Sequence, residues 1–230
     1  MIEFIEEGHI YLVDGVITPS VSDLIKFIFP DKYDGVPENI LNKKAEFGTI
    51  VHKAVECFEK QEKILKLNTY QKLCLEEYKL LKEKHNIIAL EQEIMVNYEN
   101  KYCGRFDMIA NIENEYCLCD IKTTAELDTE SISWQLSYYA LAYAPEDYEN
   151  KFKKFYAIWL PKKDVGKLVE IKKKSKKELL DKLKEYEKIN NIFNNGESMN
   201  IEESRELLDE LDEMAKELEE KMECDKNEQC

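Results

Sequence analysis

The 230-residue sequence lacks both an apolar run long enough to span a membrane and an N-terminal signal pattern. It also lacks the G-x-x-x-x-G-K-[ST] motif, so any ATPase that works with this protein has to be a separate chain. The cysteines number seven, an odd count, and several lie within apolar strand patterns, which does not suit a disulfide framework. We therefore expect a cytoplasmic protein with reduced thiols, without ATP and without a membrane partner.

Basic residues are outnumbered, and both signs of charge are unevenly distributed. The formal net charge is -15, from 48 acidic and 33 basic residues. Residues 151–184 contain 13 basic and 4 acidic groups, whereas residues 197–230 contain 14 acidic and 4 basic groups. Two interpretations of the basic segment stay open, contact with phosphate groups or an ordinary solvated surface.

The centre of the chain contains two short apolar stretches rich in β-favouring residues, 103–112 and 115–122. A turn at Glu113-Asn114 predicts an antiparallel hairpin in which the numbers of opposed residues sum to 227. Asp107 then faces Asp120 at a Cα separation of about 5 Å. Because side chains alternate along a strand, Lys122 shares the face of Asp120.

Two carboxylates and a lysine in this arrangement are typical of metal-dependent phosphodiester hydrolysis. Carboxylate oxygens bind Mg²⁺ or Mn²⁺, the ion activates water, and a lysine orients that water or stabilises the transition state. The alternative is that Asp120-Ile121-Lys122 only ends a strand at the surface, because a three-residue match is weak by itself.

The remaining pattern predicts helices and strands on both sides of this hairpin. Apolar alternation around Asp14-Gly15 predicts an N-terminal hairpin, after which Ser20 or Ser22 caps a helix ending near Pro30. The further predicted elements are a loop over 31–44, helices from about Ala45, over 69–84, 131–143 and 175–193, and strands over 87–98, 155–161 and 167–171. Glu91 and Glu93 are expected on one face of the first of these strands.

Five features in order resemble the PD-(D/E)XK nuclease superfamily, and most of all its RecB-type exonuclease branch of phage recombination and CRISPR-associated nucleases. They are G-x-x-x-H at 48–52, a glutamate on the strand before the hairpin, G-R-F-D at 104–107, D-I-K-T-T at 120–124 and Q-L-S-Y-Y at 135–139. The resemblance covers roughly residues 8–160. It implies an α/β fold of the restriction-endonuclease type, with a central mixed sheet flanked by helices. We expect residues 1–196, including the N-terminal hairpin and helix of 1–44, to form the nuclease domain, and residues 197–230 to form an acidic helical tail.

The resemblance also implies roles for individual residues. The expected metal ligands are His52, Glu93, Asp107, Asp120 and the Ile121 carbonyl. Lys122 is the expected catalytic lysine, and Gln135 and Tyr139 are expected to position the DNA strand. Glu91 stays open as an alternative ligand to Glu93. Apart from the resemblance, the expected DNA contacts are Arg105, Thr123, Thr124, Lys162 and Lys163, with the alternative that the two threonines simply end the strand.

Some relatives hold an iron–sulfur cluster with one cysteine before the histidine helix and three after the core. Here the first cysteine is Cys57, which follows His52, and only Cys224 and Cys230 follow the core. We therefore predict no iron–sulfur cluster.

The expected activity is that of a Mg²⁺- or Mn²⁺-dependent DNA exonuclease in phage-type recombination or repair. A structure-specific endonuclease and a non-catalytic protein that binds DNA ends or a recombination partner are the alternatives. The apolar seam of the acidic tail suggests a homo-oligomer or a contact with a partner such as a single-strand annealing protein. The tail could also shield the basic segment from DNA.

Overall fold

The computed structural model describes residues 1–5, 10–63 and 66–195. The strands are β1 (Ile2–Ile5), β2 (Ile10–Val13), β3 (Val16–Thr18), β4 (Ile88–Tyr98), β5 (Tyr102–Ile112), β6 (Glu115–Lys122), β7 (Lys154–Trp159) and β8 (Lys167–Ile171). The helices are α1 (Val21–Ile28), α2 (Glu38–Glu59), α3 (Thr69–Lys84), α4 (Thr129–Tyr143), α5 (Tyr148–Lys151) and α6 (Lys176–Asn195), with a 3₁₀ turn at Pro30–Tyr33. No helix in the described part of the chain is long and apolar enough to cross a membrane.

Met1–Leu183 form one compact unit, and a second unit begins at Lys184 within α6. The predicted acidic tail, 197–230, lies outside the described residues, so its helix, its partners and the domain boundary before it stay predictions.

Five strands form the central sheet in the order β4-β5-β6-β7-β8. The β6–β7 pair is parallel, whereas the other neighbours are antiparallel. A parallel pair needs a crossover connection, and α4 and α5 lie in that connection. The predicted α/β fold with a mixed sheet flanked by helices is therefore confirmed.

The main core lies between one face of this sheet and helices α2 and α3. Val51, Val55, Leu75 and Tyr78 of the helices belong to one buried cluster with alternate residues of the sheet. The strand residues of this cluster include Met108, Ala110, Ile112, Cys117, Cys119 and Ile121. This arrangement confirms the predicted alternation in β6 and leaves Asp120 and Lys122 on the opposite face. The five cysteines of the described residues are buried free thiols, as the apolar patterns around them indicate.

The N-terminal segment confirms its predicted hairpin and helix. Asp14 and Gly15 have φ angles of 51° and 82°, as a tight two-residue turn between β2 and β3 requires. Ser20 is the N-cap of α1 and forms a capping box with Asp23. Strand β1, which completes a three-stranded sheet with β2 and β3, is an element that the sequence pattern did not indicate.

Helix α2 begins at Glu38, so the predicted loop over 31–44 is wrong from residue 38 onward. Residues 38–46 are exposed apart from Leu41, and this part of the helix has no buried stripe that apolar periodicity would reveal. Pro37 at the N-cap position is the local signal for the true start.

Candidate active site

The site lies where strands β5 and β6 separate. The two strands pair from Met108–Cys119 to Ile112–Glu115, in the predicted register with sums of 227. The ladder stops one pair before Asp107 and Asp120, so the predicted direct pairing of these two residues is not formed. Strand β5 continues to pair with β4 as far as Tyr102, and β6 with β7 as far as Lys122. The two aspartates therefore lie at a fork in the sheet.

Asp107 occupies this fork through two contacts. Its Oδ2 accepts a hydrogen bond from the Ile121 backbone N–H at 2.6 Å, and its Oδ1 lies 2.9 Å from His52 Nδ1. Burial by itself would raise the pKa of Asp107, but His52, Lys122 and the Ile121 N–H together lower it. Burial would likewise lower the pKa of His52, and the Asp107 carboxylate raises it instead. His52 and Asp107 therefore form a charged pair. The Asp107 side chain also links β5 to β6 just beyond the last backbone pair of the two strands.

Asp120 and Lys122 form the second charged pair. Lys122 Nζ lies 2.7 Å from Asp120 Oδ2, at a side chain that is only 4% exposed. The Lys122 ammonium group is therefore the ion-pair partner of this buried oxygen. Burial raises the pKa of Asp120, and the nearby Asp107 carboxylate raises it further against the effect of Lys122. A buried carboxylate is costly unless an opposite charge lies beside it, and Lys122 supplies that charge.

Helix α4 supplies the polar side chains that contact Lys122. Gln135 Oε1 accepts a hydrogen bond from Lys122 Nζ at 3.0 Å, and Gln135 Nε2 donates to the Tyr139 hydroxyl at 3.4 Å. The α4 helix comes this close because Gly104 lies beneath Tyr139. A Cβ on Gly104 would lie 2.6 Å from Tyr139 Cε1. The predicted residues Gln135 and Tyr139 thus form one chain of hydrogen bonds with Lys122.

The two candidate glutamates of β4 do not share a face, and that expectation is wrong. Glu91 accepts a hydrogen bond from the Tyr143 hydroxyl of α4, whereas Glu93 Oε2 lies 2.9 Å from Arg105 Nε. Arg105 in turn packs over the Phe4 ring of β1, on the other face of the sheet from α4. The reason is the φ angle of +53° at Glu93, which breaks the alternation of the strand.

The same break is visible in β5, opposite Glu93. Phe106 contacts Tyr139 and Tyr143 of α4, whereas Met108 belongs to the core with α2 and α3. Residues two apart in a regular strand would share a face. The change of face occurs at Asp107, which explains how this residue reaches His52 of α2 while Asp120 and Lys122 face α4. Burial raises the pKa of Glu93, and the Asp107 carboxylate raises it further.

The predicted DNA-contact residues do not all lie together at the fork. Thr123 lies beside Gly48 of α2, whereas the Thr124 hydroxyl donates to the Glu126 carbonyl within its own loop. Lys162 and the exposed Lys163 lie in the turn between β7 and β8. Because Lys122 is opposite Trp159 in the parallel β6–β7 pair, this turn lies at the site's end of the sheet.

The basic segment 151–184 does not form one surface at the site. Lys154 is opposite Cys117, five residues from Lys122 along β6, which corresponds to about 16 Å. Lys173 donates to three backbone carbonyls around α5, and Lys176 donates to the Pro145 carbonyl. Much of the positive charge in this segment therefore holds structural elements together.

The donor chemistry of the fork suits a hard divalent cation, because it is made of carboxylate oxygens and one imidazole. Across residues 1–5, 10–63 and 66–195, however, no three His, Cys, Asp or Glu side chains converge in a set that could hold a metal ion. Each candidate is instead paired: His52 with Asp107, Lys122 with Asp120, and Arg105 with Glu93. Binding an ion here requires at least one carboxylate to exchange its side-chain partner for the ion.

A mixed five-stranded sheet with two aspartates and a lysine at the fork of its central strands is the core of a restriction-endonuclease-like fold. The sequence model of the PD-(D/E)XK nuclease superfamily matches residues 31–230. The chain belongs to this superfamily, whose nucleases generally use divalent metals such as Mg²⁺ or Mn²⁺.

Other comparisons add little to the family match. A comparison with curated protein sequences finds no significant match. Among solved structures, one described as the crystal structure of SSO0001 is 19% identical, with a TM-score of 0.41 and 73% of each chain covered. This degree of similarity does not define a shared architecture.

Proposed function

We propose that this protein is a Mg²⁺- or Mn²⁺-dependent deoxyribonuclease that hydrolyses phosphodiester bonds from DNA ends. The observation that carries the proposal is the meeting of Asp107, Asp120 and Lys122 at the fork of a PD-(D/E)XK chain. The proximity of the Asp107 and Asp120 carboxylates supports it, because two buried carboxylates side by side favour a bound cation.

Asp107 and Asp120 would hold the ion, together with Glu93, His52 and the Ile121 carbonyl. Glu93 is favoured over Glu91 because its surroundings include Asp107 and His52, whereas Glu91 contacts Tyr143. A bound divalent cation would supply an activated water and stabilise the charge that develops on the phosphate. It would also relieve the repulsion that raises the pKa of Asp120.

The protein's own side chains would orient the reacting groups. Lys122 keeps its charge, because Asp120 and Asp107 raise its pKa although burial would lower it. A fixed ammonium group at this position can hold a water molecule for attack or stabilise the transition state. Gln135 fixes the Lys122 side chain by accepting its hydrogen bond, and Tyr139 supports Gln135.

The resemblance of the motifs to the RecB-type branch supports an exonuclease role in phage-type recombination or repair. DNA is the substrate that this role requires, and Arg105, Thr123, Thr124, Lys162 and Lys163 are its proposed contacts. Arg105 is paired with Glu93, so a phosphate would have to compete for it. A recombination partner and a homo-oligomer through 197–230 belong to the same proposal, as does a cytoplasmic location.

Digestion of end-labelled linear duplex and covalently closed circular DNA with Mn²⁺ tests the activity. We expect the linear substrate to disappear and the circle to survive, because an exonuclease cannot start on a molecule without ends. Cutting of the circle would replace the exonuclease by the endonuclease alternative. If neither substrate were cut, the non-catalytic binding alternative would hold.

A further inference from the structure

A surface cavity of about 460 Å³ lies beside the fork, between helix α2, the start of α3 and the β7–β8 turn. Its volume is within the range of about 300 to 1,000 Å³ that is typical of ligand pockets. Ile50 and Leu67 supply apolar lining, and Lys43, Lys66 and Lys162 bring three ammonium groups to its wall.

The positive charge of this cavity is not neutralised by its neighbours. Glu46 is the acidic residue of the lining, so three ammonium groups face one carboxylate. Within the described residues, none of these lysines forms an ion pair, and Lys162 Nζ lies 3.6 Å from the centre of the Phe47 ring. That contact holds Lys162 in place without neutralising it.

The amide side chains of the lining add donors rather than acceptors. Asn68 and Gln71 form the capping box of α3, in which each side-chain oxygen accepts the other residue's backbone N–H, at 3.0 and 2.9 Å. The polar side-chain atom left to each residue is therefore an N–H₂ donor. Gln71 is only 5% exposed, and both residues line the cavity. Lysines and amide donors together suit an anionic ligand.

The cavity and the fork lie next to each other on helix α2. Phe47 and Ile50 line the cavity, whereas His52 contacts Asp107. Gly48, the neighbour of Phe47, lies against Thr123, which directly follows Lys122 at the end of β6.

We propose that this cavity is a phosphate-binding subsite that holds the substrate strand beside the fork. The proposal rests on the proposed nuclease function, because it takes a DNA strand as the ligand. Lys43, Lys66 and Lys162 bind the backbone phosphate, and the amides of Asn68 and Gln71 donate to its oxygens. The apolar lining contacts the attached sugar and base.

Salt-dependent binding of a short fluorescein-labelled oligodeoxynucleotide, measured by anisotropy in EDTA, tests this subsite without cleavage. The variant Lys43→Ala/Lys66→Ala is expected to bind about tenfold more weakly at low salt. The slope of log affinity against log salt should fall in magnitude by about 1, as expected when about one phosphate contact is lost. Lys162→Ala should have a similar effect and Lys162→Arg a smaller one, because arginine keeps the charge and packs on an aromatic ring.

The matched control is Lys84→Ala/Lys177→Ala, which removes the same charge from two exposed lysines outside the cavity. Its slope should equal that of the wild type. An equal fall in both double variants, or no change in the cavity variant, would overturn the subsite. Cleavage of the same oligonucleotide with Mn²⁺ separates the two proposals. If the wild type cleaves and the cavity variant has the wild-type slope, only the subsite is rejected. If the cavity variant has a reduced slope and the wild type does not cleave, only the nuclease function is rejected.

Discussion

Gly104 determines how closely helix α4 approaches strand β5. We predict that Gly104→Ala lowers the free energy of unfolding by about 1 to 3 kcal/mol, the usual effect of overpacking. The new Cβ would lie 2.6 Å from Tyr139 Cε1 and 3.2 Å from Val21 Cγ2, so the Tyr139 ring has to move. Denaturant unfolding measures the loss, and nuclease activity should fall with it because Tyr139 supports Gln135.

Gly48→Ala is the matched control for this substitution. Its Cβ would lie 3.5 Å from Thr123 Oγ1, an ordinary contact, within helix α2. Alanine is favoured over glycine inside a helix by about 0.5 to 1 kcal/mol, so this variant should be the more stable one. Equal destabilisation by the two substitutions would show that the close approach at Gly104 has no special cost.

The His52–Asp107 pair predicts a pH-dependent contribution to stability. The folded state raises the pKa of His52 above 6.5 and lowers that of Asp107 below 3.8. The contribution of protonated His52 is present in full below pH 6.5 and is lost as the pH rises through the folded-state value. The contribution of Asp107 is present above pH 3.8 and is lost as the pH falls through its folded-state value. The pair is therefore complete between these two limits.

We expect His52→Gln to destabilise the metal-free protein more at about pH 5.5 than at about pH 8.5, since only the lower value lies within this window. Unfolding at the two pH values in EDTA measures the difference. A loss that grows with pH would contradict the charged pair.

At the scale of elements, the capping box fixes the start of α1. Ser20→Ala should lower the free energy of unfolding by about 1 kcal/mol, because the Asp23 N–H loses its side-chain acceptor. Ser22→Ala is the control, since Ser22 lies inside the helix and does not cap it. Chemical denaturation of both variants tests the assignment, and a larger loss for Ser22→Ala would reject it.

The elements also show what the sequence can predict and what it cannot. The Asp14-Gly15 turn and the apolar periodicity indicate the two hairpins and helices α3 and α4, because these signals are local. The break at Glu93 has no such signal: a glutamate with φ of +53° is held by its surroundings and not by its own preference. For the same reason, the predicted common face of Glu91 and Glu93 fails, although the order of the motifs around the fork is right.

At the scale of the whole molecule, the position of a lysine along the central sheet decides whether it lies near the fork. Its chain segment does not decide this. The composition of 151–184 leaves phosphate contact and a solvated surface open, and its lysines in fact differ: Lys162 follows β7 at the end of the sheet near the fork, whereas Lys173 holds α5. Lys43 and Lys66 escape a sequence-based prediction, because the folding of α2 and α3 brings them to one cavity without any shared motif.

The fork predicts that divalent metal stabilises the folded protein. Mn²⁺ at about 100 times its dissociation constant should add about 2.7 kcal/mol to the free energy of unfolding, because the unfolded chain does not hold the site together. Asp120→Asn should remove this gain, since it takes away one of the two buried carboxylates that would hold the ion. Thermal unfolding in EDTA and in Mn²⁺ measures both effects, and an equal gain in the variant would place the ion elsewhere.

The most direct test of the active site is the rate of Mn²⁺-dependent DNA degradation by wild type, Lys122→Ala and Lys122→Met. Methionine preserves much of the length of the buried side chain without its charge. Lys84→Ala, an exposed lysine at the end of α3, is the control. We predict a loss of at least about 100-fold in both Lys122 variants, because a preorganised charge at the reacting phosphate is worth that much. The control should keep the wild-type rate. All three variants should remain folded, although the two Lys122 variants lose stability because Asp120 loses its ion-pair partner. Wild-type rates in the Lys122 variants would contradict the assignment of the active site to the fork.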